Sequence, residues 1–389
     1  MTHAEKPQSW SDLPTELAGL VLCRLPAYSD RVRFGAVCRH WSFSAKQHYL
    51  PPPVPCLAFP DGTFFSLPHS ESFQFPDSVG YHSSSGEWLV FSCDGTYSLK
   101  NPFSKVTLTL PKLSCFCPIE EPEEIVPVTL KEERPQESLD MGAEMSVYKL
   151  VVCSSLLAAA IVNLGPLYTV ALCRPGADSW LVSTLLRRDQ HIDMMFCGGK
   201  LYVLDEFKNL LAIDVGEDND NSKLSISQVE CLIDTPSVTF SLMRNGATSI
   251  HQYLVESHGA LLMVRTTFFG VLSDDNTGCM STKPVGIEFK VFKADFHSAR
   301  WVGVTNLGDD QALYISQSSS QSVCVSPYKL KGNCIFILDD GTCDWFWSGK
   351  TSSYAVHRMS DGGTYLPMPQ GSFKGGKAPA TWLFPSSTM

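Results

Sequence analysis

Two pairs of adjacent aspartates are the residues in this sequence that most resemble catalytic carboxylates. They are Asp309 with Asp310 and Asp339 with Asp340. A pair of carboxylates can act as general acid and general base when both groups point into one site. Adjacent residues of a β-strand point to opposite faces of the sheet, so neither pair could converge from a strand. We therefore predict that both pairs are turn residues.

Other residue types that support catalysis or metal binding are present at unsuitable spacing. Gly198, Gly199 and Lys200 could hold a phosphate, but the apolar run LYVL that follows them predicts a hairpin turn instead. The ten histidines are dispersed, and the closest cysteines are Cys115 and Cys117, without the two ligand pairs that structural zinc requires. Phosphate-loop, nucleophile-elbow and HExxH motifs are absent from the sequence. We expect no catalytic, cofactor or metal site.

The composition is that of a globular chain with one large and one small domain. Its 389 residues exceed the usual size of one domain, and 44% hydrophobic with 11% aromatic residues can form a substantial core. The net charge of −10 gives no electrostatic reason to bind nucleic acid or anionic lipid. Residues 119–145 hold nine acidic residues against Lys131 and Arg134. We predict that this stretch is a solvated insertion.

The sequence also predicts where the protein resides. Cysteines within apolar runs, such as Cys153, Cys173 and Cys334, are typical of core residues in a reducing compartment, and the first 14 residues do not resemble a secretory signal. We expect the cytosol or the nucleus. Residues 150–173 are apolar and long enough to span a bilayer, but Asn163 and the Gly-Pro pair at 165–166 divide them. Two or three buried strands, and no membrane contact, are expected there.

Two patterns of hydrophobic residues meet near residue 50. Before it, Leu17, Leu20 and Val21 form the apolar face of a first helix. A second helix is expected from Ser29, a candidate N-cap, because apolar residues follow at helical spacing at Phe34, Val37, Cys38 and Trp41. The prolines at 51–53 end the helical pattern and predict a linker.

After the linker, short strand-like runs alternate with Gly, Asp, Ser and Pro. A Trp-containing phrase recurs as GEWLVFS, DSWLVSTLL and ARWVGVTNL, with tryptophans at 88, 180 and 301. Units of about 40–50 residues fit six or seven times into the remaining chain. Repeated units of this kind close into a ring that leaves few sheet edges exposed. We predict an all-β propeller of six or seven blades rather than a two-sheet sandwich.

Residues 10–41 carry a Leu-Pro start, Glu-Leu at 16–17, Leu-Pro at 25–26, and Val-Cys-Arg at 37–39 followed by a tryptophan. In this order they resemble an F-box, a trihelical module that docks on the Skp-type adaptor of a cullin–RING ubiquitin ligase. The resemblance assigns the adaptor contact to Leu13, Pro14, Leu17, Leu25, Val37 and Trp41. The alternative for each residue, and for Trp41 in particular, is that it belongs to the module's own core.

The phrases QYLVESHGALLMVR (from Gln252), EFKVFKADFHSARWVGVTNLGDDQALYIS (from Glu288) and LKGNCIFILDDG (from Leu330) resemble the KIB-type β-propeller of plant F-box proteins. The two resemblances imply a multidomain chain: an F-box at 8–50, a linker at 51–58, and a propeller at 59–386 with the acidic insertion at about 119–145. At Asp309 to Gln311 the sequence departs from the family pattern, and we expect a local bulge there.

The resemblances imply a non-catalytic substrate-recognition subunit of an SCF-type ligase, which binds the adaptor and, through it, a cullin. The propeller would recruit a protein target that no motif identifies. Residues 275–284 (DNTGCMSTKP) and the acidic stretch are the most conspicuous candidate contacts, although either could be a tolerated insertion. One alternative is a protein-binding scaffold outside any ligase, with a vestigial F-box. The other is a sugar- or ester-cleaving propeller, which would require carboxylates converging in a central channel.

Overall fold

A computed structural model describes most of the chain. The described residues are 10–47, 50–67, 71–122, 144–165, 167–186, 191–217, 224–235, 247–275, 279–341, 343–348, 352–367 and 380–386. Most of the acidic stretch, residues 123–143, lies outside this part of the chain. The α-helices are α1 (Thr15–Leu22), α2 (Tyr28–Ala36), α3 (Arg39–Gln47) and α4 (Asp344–Trp347).

The N-terminal helical module (residues 10–50) has a small apolar core of its own. Its buried residues are Ala18, Leu22, Phe34, Ala45 and Leu50. The second helix that we expected is in fact two helices, α2 and α3. The chain turns at residues 37–38, which lets the ring of Trp41 stack on Phe34 with the ring centres 4.3 Å apart. The expected N-cap was also wrong: Ser29 lies inside α2, whose N-cap is Ala27 without a side-chain hydrogen bond.

The rest of the described chain is almost entirely β-sheet. In chain order the strands are β1 (Cys56–Ala58), β2 (Thr63–Ser66), β3 (Glu71–Gln74), β4 (Ser83–Ser85), β5 (Trp88–Cys93), β6 (Thr96–Lys100), β7 (Thr107–Lys112), β8 (Phe116–Pro118), β9 (Met145–Ser154), β10 (Leu157–Leu164), β11 (Leu167–Cys173), β12 (Trp180–Val182), β13 (His191–Cys197), β14 (Lys200–Asp205), β15 (Leu210–Glu217), β16 (Leu224–Ile233), β17 (Ala247–Ser257), β18 (Ala260–Asp275), β19 (Cys279–Asp295), β20 (Arg300–Val304), β21 (Gln311–Ile315), β22 (Gln321–Cys324), β23 (Cys334–Leu338), β24 (Tyr354–Arg358), β25 (Thr364–Tyr365) and β26 (Thr381–Leu383).

These strands form six sheets, each of four or five strands, which are the blades of a propeller. From the first blade to the sixth, the strand orders are β26-β1-β2-β3, β4-β5-β6-β7, β9-β10-β11-β12-β8, β13-β14-β15-β16, β17-β18-β19-β20 and β22-β21-β23-β24-β25. Neighbouring blades contact each other mainly through β26, β4, β9, β13, β17 and β22, which therefore surround the central channel. The predicted propeller is confirmed, with six blades.

The first blade contains both ends of the propeller chain. The C-terminal strand β26 pairs antiparallel with β1, so that Leu57 lies opposite Trp382. This pairing closes the ring and leaves no open first or last blade. It also revises the linker expected at 51–58, because residues 56–58 are a buried strand of the first blade rather than a connection.

The apolar segment at 150–173 forms strands of the third blade, as predicted. Strand β10 pairs with β9 on one side and with β11 on the other, and its central residues are buried. Among the residues that the structure describes, no helix is long and apolar enough to cross a membrane.

The residues that resembled catalytic groups lie at the ends of strands. Gly198 and Gly199 form the turn between β13 and β14 with positive φ values of 57° and 81°, which glycine adopts without strain. Asp309 and Asp310 form a turn before β21, as predicted, and the second aspartate pair follows β23 directly. The bulge that we expected is not seen, because β21 pairs in regular register from Gln311 and the turn takes up the extra residues.

Closure of the ring through β26 predicts a large effect of one substitution. The side chain of Trp382 is fully buried, its indole N–H donates to the carbonyl of Ile315 at 3.2 Å, and its ring meets that of Tyr314 edge-on. We expect Trp382→Ala to lower the free energy of unfolding of the propeller by ~3–5 kcal/mol, as measured by urea denaturation. Trp10→Ala, at a tryptophan that is 79% exposed, is the matched control. Equal stability of the two variants would contradict closure through β26.

Candidate functional site

The helical module exposes apolar side chains that its small core does not cover. On α1, Leu17 is 48% exposed, and after α2 Val37 is 59% exposed. Among the residues of the module that the structure describes, the exposed large apolar ones are Trp10, Leu17, Leu20, Val21, Val32, Val37 and Phe43. Such a concentration of exposed apolar side chains marks a surface for another protein. We name this set the apolar helix surface.

The structure separates the six predicted adaptor-binding residues into two groups. Leu17 and Val37 belong to the apolar helix surface, and Pro14 is exposed at the start of α1. The other three, Leu13, Leu25 and Trp41, are partly buried against the core of the module. The adaptor contact itself stays a prediction for all six residues.

Trp41 has a clear structural role beside any contact with a partner. Its ring stacks on Phe34, and its indole N–H donates to the carbonyl of Trp10 at 3.0 Å. His40 Nε2 lies 2.7 Å from the carbonyl of Leu13. Together these contacts hold the segment before α1 against α3, so that the exposed residues of both regions form one module.

Sequence reasoning missed part of the apolar helix surface. Leu20 and Val21 lie three and four residues after Leu17, and that helical spacing was a sufficient signal to add them to the site. Trp10 and Phe43 had no comparable signal in the sequence.

A buried ion pair lies in the central channel of the propeller. Lys149 of β9 and Asp193 of β13 bind each other, with side chains only 4% and 2% exposed. Asp193 also accepts the backbone N–H of Met194 at 2.7 Å and that of Leu254 in β17 at 2.6 Å. One carboxylate therefore connects the third, fourth and fifth blades. Burial raises the pKa of Asp193 above its ordinary value, although Lys149 and the two backbone N–H groups oppose that shift.

Hydroxyl groups line the channel where the first, second and sixth blades meet. Ser84 Oγ donates to the carbonyl of Trp382 at 2.9 Å and lies within hydrogen-bond distance of Thr381 Oγ1. Ser318 Oγ lies 3.1 Å from the same threonine hydroxyl, and the N–H of Gly86 donates to Ser319 Oγ at 3.0 Å. These groups are hydrogen-bond partners of one another. They join the second and sixth blades to β26, the strand that closes the ring.

Two cavities of about 270 and 180 Å³ lie along the channel, and Lys149 lines both. The acidic lining residues are Glu256 in the larger cavity and Asp340 in the smaller one, where Asp340 accepts the backbone N–H of Gln317 at 2.6 Å. These two carboxylates line different cavities and do not converge on one point. Among the described residues, no three or more His, Cys, Asp or Glu side chains form a group that could hold a metal ion.

The structure describes the two predicted target-contacting segments only in part. Strands β18 and β19 form a hairpin whose strands are longer than those described in the other blades, and of residues 275–284 the structure describes 275 and 279–284, near its far end. Exposed apolar residues precede and follow that tip at Val271, Leu272 and Val285. Within the acidic stretch, Glu121 accepts the backbone N–H groups of Thr184 and Leu185 at 2.9 and 3.1 Å. The main part of the acidic stretch lies outside the described residues.

The three-helix module with an exposed apolar surface, followed by a six-bladed propeller, is the architecture of an F-box substrate-adaptor type protein. Family comparison agrees with this class. The F-box domain model matches residues 10–51, and the KIB1-4 beta-propeller model matches residues 64–365. Because the second match covers more than half of the sequence, the chain belongs to the KIB1-4 beta-propeller family and carries an N-terminal F-box.

A plant relative matches this chain over nearly its whole length. An F-box protein of Arabidopsis thaliana is 24% identical over 360 residues, which cover 86% of this chain and 97% of the relative. Among solved structures, a protein from Lactobacillus plantarum has a TM-score of 0.28 at 8% identity, covering 74% of this chain and 80% of that protein. A prolyl endopeptidase has a TM-score of 0.26 at 9% identity, covering 90% of this chain and 59% of the endopeptidase. TM-scores this low carry no argument about function.

The buried ion pair in the channel predicts an asymmetric mutational effect. Lys149→Met leaves Asp193 as an uncompensated buried carboxylate, so we expect the free energy of unfolding to fall by ~3–5 kcal/mol, measured by urea denaturation at neutral pH. Lys200→Met, which breaks the partly exposed pair of Lys200 with Asp214, is the control and should cause no comparable loss. A similar small effect for both variants would show that the channel pair does not hold the blades together.

Proposed function

We propose that this chain is the substrate-recognition subunit of an SCF-type (Skp–cullin–F-box) ubiquitin ligase. The observation that carries the proposal is the apolar helix surface, which the F-box presents while its own core is already filled by Leu22, Phe34 and Leu50. Covering such a surface with the Skp-type adaptor removes apolar area from water, and this is the main favourable contribution to protein association. The adaptor in turn connects the chain to a cullin.

In this proposal the propeller has a positional role and no catalytic one. Recruiting a protein target raises its effective concentration near the ubiquitin-carrying enzyme without any chemistry by the receptor. The hairpin of β18 and β19 is our candidate for target contact, since apolar side chains are exposed beside its tip. Every cysteine whose side chain the structure describes is a free thiol, which supports our proposal that the protein works in the cytosol or the nucleus.

Point variants of the apolar helix surface test the proposal. We expect Leu17→Asp and Val37→Asp each to weaken binding of purified Skp-type adaptor at least tenfold, about 1.4 kcal/mol, because a carboxylate would be desolvated at the contact. Isothermal titration calorimetry with the full chain measures this. The control is Leu156→Asp, at an exposed leucine in the turn between β9 and β10 of the propeller.

The outcomes separate the competing functions. Adaptor affinity that is unchanged in both helix variants would disprove the assigned surface. If the unaltered chain does not bind the adaptor, the ligase function fails and a protein-binding scaffold with a vestigial F-box becomes the better account.

A further inference from the structure

A buried arginine of the F-box lies at its boundary with the propeller. Arg31 of α2 is only 1% exposed, and its Nε donates to the carbonyl of Leu25 at 3.0 Å. Its Nη2 donates to the hydroxyl of Tyr328 at 2.8 Å, and the guanidinium lies 5.9 Å from the centre of that tyrosine ring. Tyr328 belongs to the sixth blade, so this charged hydrogen bond crosses between the two domains.

The hydroxyl of Tyr328 also holds the chain that connects the two domains. It donates to the carbonyl of Pro52 at 2.6 Å, and the carbonyl of Pro51 lies 3.2 Å away. The next two residues, Pro53 and Val54, are buried. The backbone N–H of Val54 donates to the carbonyl of Pro26 in the F-box at 2.8 Å. The connection is therefore fixed to both domains by hydrogen bonds along its length.

Two further contacts join α2 to other blades. The ring of Tyr28 lies 4.5 Å from that of Phe103, in the loop between β6 and β7 of the second blade. Arg33 forms an ion pair with Glu71, at the start of β3 in the first blade. Side chains of α2 thus contact the sixth, first and second blades, which are neighbours around the ring. The contacts of Tyr28 and Arg31 with two different blades restrict how α2 can turn on the propeller, whereas the Arg33 pair is exposed to solvent.

We propose that Tyr28, Arg31 and Tyr328 form an interdomain clamp that holds the F-box in one orientation on the propeller. The clamp uses α2, whereas the apolar helix surface has most of its residues on α1, α3 and the turn before α3, so both can be occupied together. Arg31 and Tyr328 are positioning residues in this account, because they touch neither adaptor nor target. The consequence for ubiquitin transfer rests on the proposed function: a target on the propeller would be held at a fixed distance from the adaptor.

Single-molecule energy transfer between the two domains tests the clamp in the full chain. Fluorophores on azidophenylalanine at Lys46, which is exposed at the end of α3, and at Lys112, which is exposed on β7, report the interdomain distance. The chain with intact clamp residues should give one narrow distribution of transfer efficiency. Arg31→Met and Tyr328→Phe should each broaden or shift that distribution, because each removes the hydrogen bond between the domains.

Two controls separate loss of the clamp from unfolding. Tyr365→Phe removes the hydroxyl of an exposed tyrosine in the same blade and should leave the distribution unchanged. Tyr328→Phe leaves every F-box residue in place, so its helical circular dichroism at room temperature should match that of the unaltered chain even if Arg31→Met perturbs the F-box. Narrow distributions that coincide with that of the unaltered chain in both clamp variants would overturn the proposal.

The measurement needs no adaptor, so the clamp and the proposed ligase function can fail separately. With adaptor added, both clamp variants should bind it within twofold of the unaltered affinity if the ligase proposal also holds. A loss of affinity in Tyr328→Phe would show that the clamp residues belong to the adaptor site instead, and would contradict their assignment as positioning residues.

Discussion

The pairing of β26 with β1 is the constraint on which the rest of the molecule depends. Residues from the far end of the chain, Thr381–Leu383, complete the blade that residues 56–58 begin. Without that pairing β1 would present an open edge in the first blade, and the channel would lose the strand that contacts β4 of the second blade. The same pairing fixes where the F-box leaves the propeller, because β1 follows the connecting prolines after only a few residues.

The F-box is too small to bury all of its apolar side chains, and its helices divide the surplus between two partners. The face of α2 with Tyr28 and Arg31 packs on the propeller, whereas Leu17 and Leu20 on α1 remain exposed. A module of this size gains stability from each surface that it covers. The propeller thus supplies one partner within the chain, and our proposal assigns the adaptor to the other.

The fold could be predicted from sequence because its signals are local. The Leu-Pro and Val-Cys-Arg phrases mark the F-box, and recurring tryptophan phrases with short strands mark a propeller. The blade count could not be fixed, because it depends on the pairing of residues more than 300 positions apart, such as Leu57 and Trp382. The turn between α2 and α3 was missed, because Phe34, Val37 and Trp41 also match the spacing of one continuous helix.

The site could be predicted only in part, because it too depends on contacts between residues far apart in the sequence. Leu17 and Val37 are exposed, but the helical pattern alone does not separate an outward leucine from one that packs inward, as Leu13 and Leu25 do. Lys149 and Asp193 are 44 residues apart, and Arg31 and Tyr328 are 297 apart. Buried polar pairs of this kind have no signal in a single sequence, since their partners are set by tertiary packing.

Amide hydrogen exchange of the full chain, with and without a saturating amount of purified Skp-type adaptor, tests the central claim most directly. The account predicts slower exchange on adaptor binding in α1 and in the segment from Val37 to Phe43. Strands β4, β9, β13, β17 and β26 around the channel should exchange as they do without adaptor. Protection on the propeller with none on the F-box helices would contradict the claim that the apolar helix surface binds the adaptor.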